Sequence, residues 1–154
     1  MINLDLNTAI NILALDKYSK MTDKEKVELS EIEKPKEEEI FDNLKHTYAG
    51  IRISYIEDQL KTLYQLPISV SGKAQELNPC SCCDYKTIVE KGNYEICKVC
   101  FWEDDGTTDE SKYSHVNHMT LKEAKDNFKI KGAILEKFLN FVDNEGKLKY
   151  DKNT

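Results

Sequence analysis

The chain has no apolar run approaching the ~20 residues that a membrane-spanning helix needs, so no membrane role is expected of it. Positive charge is not in excess: 22 basic side chains stand against 28 acidic ones, a net charge of −6. Tight non-specific binding to nucleic acid needs a basic footprint, and the balance here argues against it. The opening residues, Met1 to Asp5, carry no positive region and no apolar core, so the expectation is a cytoplasmic protein without a secretory leader. There is no glycine-rich phosphate loop, no nucleophile elbow and no His-Glu-x2-His pattern. No internal repeat is visible, and the only biased tract is the charged stretch around Pro35. Cysteine is absent from everything outside residues 80–100.

Inside that window there are five cysteines. A disulfide framework would spread them to staple distant loops and would pair them all, so an odd, clustered set in a reducing compartment points to metal. Cys80-Ser81-Cys82-Cys83 and Cys97-Lys98-Val99-Cys100 each give Cys-x2-Cys, with thirteen residues between the pairs. Two residues between thiols let both sulfurs turn toward one point, and two such knuckles supply a tetrahedral Zn²⁺ site. The expected ligands are Cys80, Cys83, Cys97 and Cys100, and the expected cofactor is a structural Zn²⁺. Cys82 lies inside the first knuckle and is expected to point away from the metal as a packing residue. Between the knuckles, Tyr85 to Val89 and Tyr94 to Ile96 read as two strands around a turn at Glu90 to Asn93, which is the zinc-ribbon plan.

The rest of the chain reads mostly as helix. Asn7 or Thr8 is the expected cap of a first helix with Ile10, Leu13, Ala14 and Tyr18 on one face. Thr22-Asp23-Lys24-Glu25, Ser54-Tyr55-Ile56-Glu57 and Thr120-Leu121-Lys122-Glu123 match the capping-box pattern. Glu37-Glu38-Glu39 suits a helix N-terminus, followed by the apolar positions Ile40, Phe41, Leu44 and Tyr48. Pro67 closes the helix that carries Ile56, Leu60, Leu63 and Tyr64, and residues 68–70 alternate as a short strand. Gly132 is expected just past the end of the helix that begins at Thr120. The fold class is therefore α+β. A helical N-terminal region (1–77) with one short strand leads into a zinc-ribbon β-hairpin module (78–106). C-terminal helices (107–143) pack back on it, a flexible tail (144–154) follows, and one compact domain results.

Residues 78 to about 133 resemble the cysteine-rich CPCC family of small bacterial proteins. The pieces that carry the likeness are Cys80-Ser81-Cys82-Cys83-Asp84-Tyr85 and the run from Tyr94 through Phe101-Trp102-Glu103-Asp104-Asp105-Gly106. Asn117-His118-Met119-Thr120-Leu121-Lys122-Glu123-Ala124, ending in Asn127-Phe128, continues it. Ser81, Asp84 and Lys98 stand where the family has Pro, Gly and often Pro, which changes knuckle rigidity more than ligation. Asp tolerates the left-handed conformation well enough to replace glycine after the first knuckle. The resemblance implies no particular reaction. Its members look similar to small cytoplasmic partners encoded beside bacterial toxins, so an immunity-type role is what it implies.

Charge patterning points the same way. Residues 78–110 hold eight acidic and three basic side chains. Trp102, Glu103, Asp104, Asp105, Asp109 and Glu110 are the candidate partner-binding residues, an acidic face for another protein such as a basic toxin domain. No residue is assigned a catalytic role. One alternative is a zinc-dependent or thiol-based enzyme, hydrolase-like, using Cys82, His118 or the carboxylates; His115 and His118 are three apart and could act as bases. The other is a nucleic-acid adaptor working through Lys122, Lys125, Lys129, Lys131 and Lys137.

Overall fold

A computed structural model describes all residues, 1–154. The chain forms two compact units, Met1–Gln75 and Glu76–Thr154, each with its own core, in place of the single domain expected.

The first unit opens with a strand the sequence reading missed, β1 (Ile2–Asp5). It pairs in parallel with β2 (Ile68–Ser71), from Ile2 opposite Ile68 to Asp5 opposite Ser71. Parallel strands need a crossover between them, and here it is four helices: α1 (Leu6–Lys20), α2 (Asp23–Ser30), α3 (Glu37–His46) and α4 (Ile53–Tyr64). The cap of α1 is Asp5, not Asn7 or Thr8. Its carboxylate accepts from the Thr8 amide at 3.0 Å and the Thr8 hydroxyl at 2.6 Å, so the last residue of β1 also starts α1. Thr22 and Glu25 form the expected reciprocal box at the start of α2. At α4 the expected box does not form. The helix starts after Arg52, and the Glu57 carboxylate instead accepts from the Val70 amide of β2 at 2.7 Å. The core holds Ala9, Leu13, Ala14, Ile40, Leu44, Ile51, Ile56, Leu60, Ile68 and Val70. Burying each of the larger ones contributes about 1.5–3 kcal/mol.

The second unit contains β3 (Asn78–Pro79), β4 (Lys86–Ile88), β5 (Tyr113–Ser114), β6 (Met119–Thr120), α5 (Leu121–Lys131), a short 3₁₀ turn (Glu136–Phe138) and a one-turn helix, α6 (Gly146–Lys149). The reciprocal Thr120–Glu123 box starts α5, and Gly132 ends it in the left-handed region at φ 87°. The C-terminal part packs back on the second knuckle. The Ile134 amide donates to Cys100 O at 2.9 Å, Asp143 N to Lys98 O at 2.8 Å, and Phe138 stacks on Phe101 with ring centres 4.2 Å apart.

Residues 144–154, expected as a flexible tail, are tied to the first knuckle. Lys86 N donates to Asp151 O, Asn153 N donates to Asp84 O, and Lys152 forms an antiparallel bridge with Tyr85. Tyr150 is buried among them, and burial, with smaller contributions from the Asp143 and Cys97 charges, pushes its phenol up to about 12. A polar C-terminal segment is ordered here because it completes the edge of a two-stranded sheet whose backbone groups would otherwise be unpaired.

Candidate metal centre

The two knuckles are built alike. In the first, Cys80 N donates to Tyr85 O at 2.9 Å and Asp84 N to Cys80 O at 2.9 Å. In the second, Cys97 N donates to Trp102 O at 2.8 Å and Phe101 N to Cys97 O at 2.9 Å. The residue after each second cysteine takes a left-handed conformation, Asp84 at φ 65° and Phe101 at φ 71°. Asp84 does so at little cost, as the sequence implied. For Phe101 the strain is of order 1 kcal/mol, opposed by its stacking on Phe138.

The hairpin arrangement differs from the expected one. Tyr85 to Val89 and Tyr94 to Ile96 do not pair with each other. Instead β4 pairs with β3 across the first knuckle, and Ile96 bridges Glu103 across the second, with Tyr94 N donating to Asp104 O and Asp104 N to Glu95 O. A knuckle must return its chain antiparallel, so each arm finds its nearest partner on the far side of its own knuckle. The connecting loop is held by side chains. Glu95 accepts from the Val89 and Glu90 amides at 2.9 and 2.7 Å, and Asp104 accepts from the Gly92 amide at 2.8 Å.

This geometry brings the side chains of Cys80, Cys83, Cys97 and Cys100 together, all four buried, with their sulfurs within 4.8 Å of one another. Cys80 and Cys100 sulfurs are 3.7 Å apart, and those of Cys83 and Cys97 3.6 Å. A disulfide would put sulfurs about 2.05 Å apart. Four thiolates at ~2.3 Å from a tetrahedral ion lie about 3.8 Å from each other, so the spacing fits a metal and excludes a disulfide. Burial disfavours the Cys97 thiolate, but hydrogen bonds from Cys100, Cys80, Cys83 and the Thr87 hydroxyl outweigh it and hold its pKa well below the usual thiol range. The Thr87 hydroxyl lies 3.0 Å from Cys97 Sγ, and the Val99 amide points at the same sulfur from 3.4 Å. Such donors orient and stabilise a ligating thiolate. All four positions are thiols, the donor set of a closed structural site rather than a catalytic one with an open position.

Cys82 is not in the cluster and is 4 % exposed, the packing role expected of it. A Cys82→Ser variant is expected to keep full metal stoichiometry and lose about 1 kcal/mol, the cost of a buried hydroxyl. Elemental analysis and thermal melting check both, and metal loss comparable to that of Cys97→Ser would contradict the assignment.

The six candidate partner residues divide. Trp102 and Asp104 are fully buried, so neither can touch a partner. Their burial follows from alternation on the strand leaving the knuckle, which turns both side chains inward. Glu103 is partly buried, and Asn117 clamps its backbone, donating to its carbonyl and accepting from its amide at 2.9 Å each. Asp105 accepts from Ser114 Oγ at 2.6 Å, and Ser114 Oγ in turn accepts from Asn117 Nδ2 at 2.8 Å. Burial works against the Asp105 carboxylate, but hydrogen bonds from Ser114 and Thr107 outweigh it and hold its pKa below the usual range. This Asp105–Ser114–Asn117 chain was not visible in the sequence. It pins the acidic loop to the β5–β6 hairpin, leaving Asp109 and Glu110 in solvent.

His115 and His118 are both exposed on that hairpin loop, and His115 packs edge-on against Tyr113. A hollow of about 180 Å³ gathers Glu103 and His118 with Lys137, but its walls are mainly Ile96, Phe101, Met119 and Phe138, and Cys82 does not line it. The lysines of α5 are partly neutralised: Lys122 pairs with Asp126 and Lys125 with Glu110, each at 3.2 Å.

Fold and site together define a module whose four clustered cysteines are suited to holding a metal ion, an arrangement compatible with a zinc ribbon. Residues 78–147, a little under half of the chain, match the family described as cysteine-rich CPCC. No match was found among curated proteins or among solved structures. No helix is long and apolar enough to cross a membrane.

Proposed function

We propose that this is a zinc-stabilised protein-binding protein of the reducing cytoplasm. Its acidic loop meets a basic protein partner, in the manner of an immunity protein that neutralises a toxin. The observation that carries the reading is the contrast within one module. The cysteines form a closed, buried set suited to holding structure, while Asp109 and Glu110, with the partly exposed Glu103 and Asp105, present acidic groups on a loop pinned by hydrogen bonds. Four thiolates on a bound Zn²⁺ would add a further net −2 to the same module. Preorganised charge of one sign accelerates association with a partner of the other sign and falls off with salt. The chemistry of such a partner is that of a domain which itself binds nucleic acid.

Elemental analysis of the purified protein is expected to give one zinc per chain and a colourless solution; iron held by four thiolates would colour it. Affinity capture from the native host at low salt is expected to retain a protein of basic isoelectric point. Glu103→Gln/Asp109→Asn/Glu110→Gln should lower its association rate about tenfold at low salt. Capture unchanged in that triple variant would overturn the reading.

A further inference from the structure

The first unit, Met1–Gln75, lies outside the family match and holds no cysteine. It carries a hollow of about 230 Å³ lined by Leu15 and Tyr18 of α1 and Glu37, Glu38 and Phe41 of α3. We propose that this hollow docks a basic, amphipathic segment of a partner protein. An apolar side chain enters the hollow, and lysine or arginine side chains flanking it reach Glu37 and Glu38. The proposal shares with the reading above the expectation of a basic protein partner, but none of its residues.

The apolar part is real surface. Ala14 on α1 is fully buried in the unit's core with Ile40 and Leu44, while its neighbour Leu15 is 56 % exposed. Tyr18 and Phe41 pack against that same core cluster and line the hollow with the surface they have left. A leucine and two aromatic side chains grouped between two helices form the kind of hydrophobic groove into which an amphipathic helix lays its apolar face. Both rings already hold an ammonium of their own chain, Lys26 at 4.2 Å from the Tyr18 centroid and Lys45 at 4.9 Å from that of Phe41. Lys45 is answered by Asp42 at 3.2 Å.

The charge decides the occupant. Of the three glutamates opening α3, Glu39 is used internally, accepting from the Lys36 amide at 3.0 Å. Glu37 and Glu38 are exposed on the rim with no ion pair. Residues 1–40 hold ten acidic against six basic side chains. A second copy docking through this same face would bring its two glutamates against these, so symmetric self-association is disfavoured and a cationic segment is favoured.

The test uses the full-length, metal-loaded protein and a designed helical peptide with one leucine face and one lysine face, compared with the same peptide carrying glutamate for lysine. Calorimetry at low salt is expected to show binding of the lysine peptide alone, with amide shifts clustered on α1 and α3. Leu15→Gln and Glu37→Gln/Glu38→Gln should each weaken it at least about fivefold, the scale of one apolar contact or a pair of exposed charges. Both variants alter exposed positions, so unchanged melting confirms that they fold. The triple variant of the acidic loop should bind the peptide as well as the parent does. Equal binding of the glutamate peptide, no binding of the lysine peptide, or affinity unmoved by both groove variants overturns the proposal. If only the acidic-loop variant loses binding, the groove is excluded while the acidic-loop reading stands.

Discussion

Replacing Cys97 with serine is expected to unfold residues 76–154 and leave the helices of Met1–Gln75 in place. A structural Zn²⁺ site contributes ~10–16 kcal/mol at neutral pH, or roughly 3–4 kcal/mol per ligand if shared evenly. The second unit has 79 residues, for which net stability is about 4–12 kcal/mol at 0.05–0.15 kcal/mol per residue. Losing one ligand therefore removes a quarter or more of that margin directly, and because three thiolates hold the ion far less tightly than four, the metal's remaining contribution goes with it, as it does when a chelator strips the site. Cys97 is the most sensitive position because its sulfur also collects the Thr87 hydroxyl and the Val99 amide, which would face a weaker acceptor in serine. The read-out is built in. Trp102 is the only tryptophan and is fully buried in this unit, so its emission should shift to the red when the metal is removed. Helical circular dichroism from the first unit should persist. A chelated protein whose tryptophan emission stays unchanged would show that the core, not the metal, holds the module.

The parts of the molecule that were legible in the sequence are local ones. Cys-x2-Cys spacing fixes where each sulfur of a knuckle points, so the four-sulfur cluster could be read without knowing the fold. The boxes at Thr22 and Thr120 and the left-handed Gly132 depend on residues three or four apart, and all three formed. What escaped depends on distant partners. Strand β1 is four residues long, and nothing near it announces pairing with a strand 66 positions later. The Ser54–Glu57 pattern was a true local signal that lost to a tertiary one, because Glu57 satisfies a β2 amide instead. Residues 150–153 read as a polar tail, since the edge they complete lies at Asp84 to Lys86. The acidic string at 103–105 misled for a related reason. Composition counts carboxylates but cannot tell that one of them, Asp104, is turned inward to hold the Gly92 amide.

Trp102 gives the sharpest separation between a surface residue and a core one. If it anchored a partner, truncating it would weaken binding and leave the fold intact. In the structure it is the largest fully buried side chain, and its carbonyl closes the second knuckle by accepting from Cys97 N. Trp102→Ala is expected to cost about 3–5 kcal/mol, lowering the melting temperature of residues 76–154 by at least about 12 °C and weakening metal retention with it. Trp102→Phe is expected to be much milder, about 1–2 kcal/mol. The reason is specific: the indole Nε1 is buried with no hydrogen-bond partner. A phenyl ring therefore forfeits volume but no bond, and it removes one unsatisfied donor, which offsets part of the cavity it leaves. Thermal melting followed by far-ultraviolet circular dichroism, with bound metal measured alongside, decides the matter. Equal losses in the two variants would mean that the indole nitrogen is bonded in solution. No loss in Trp102→Ala would mean that this side chain is not part of the core at all.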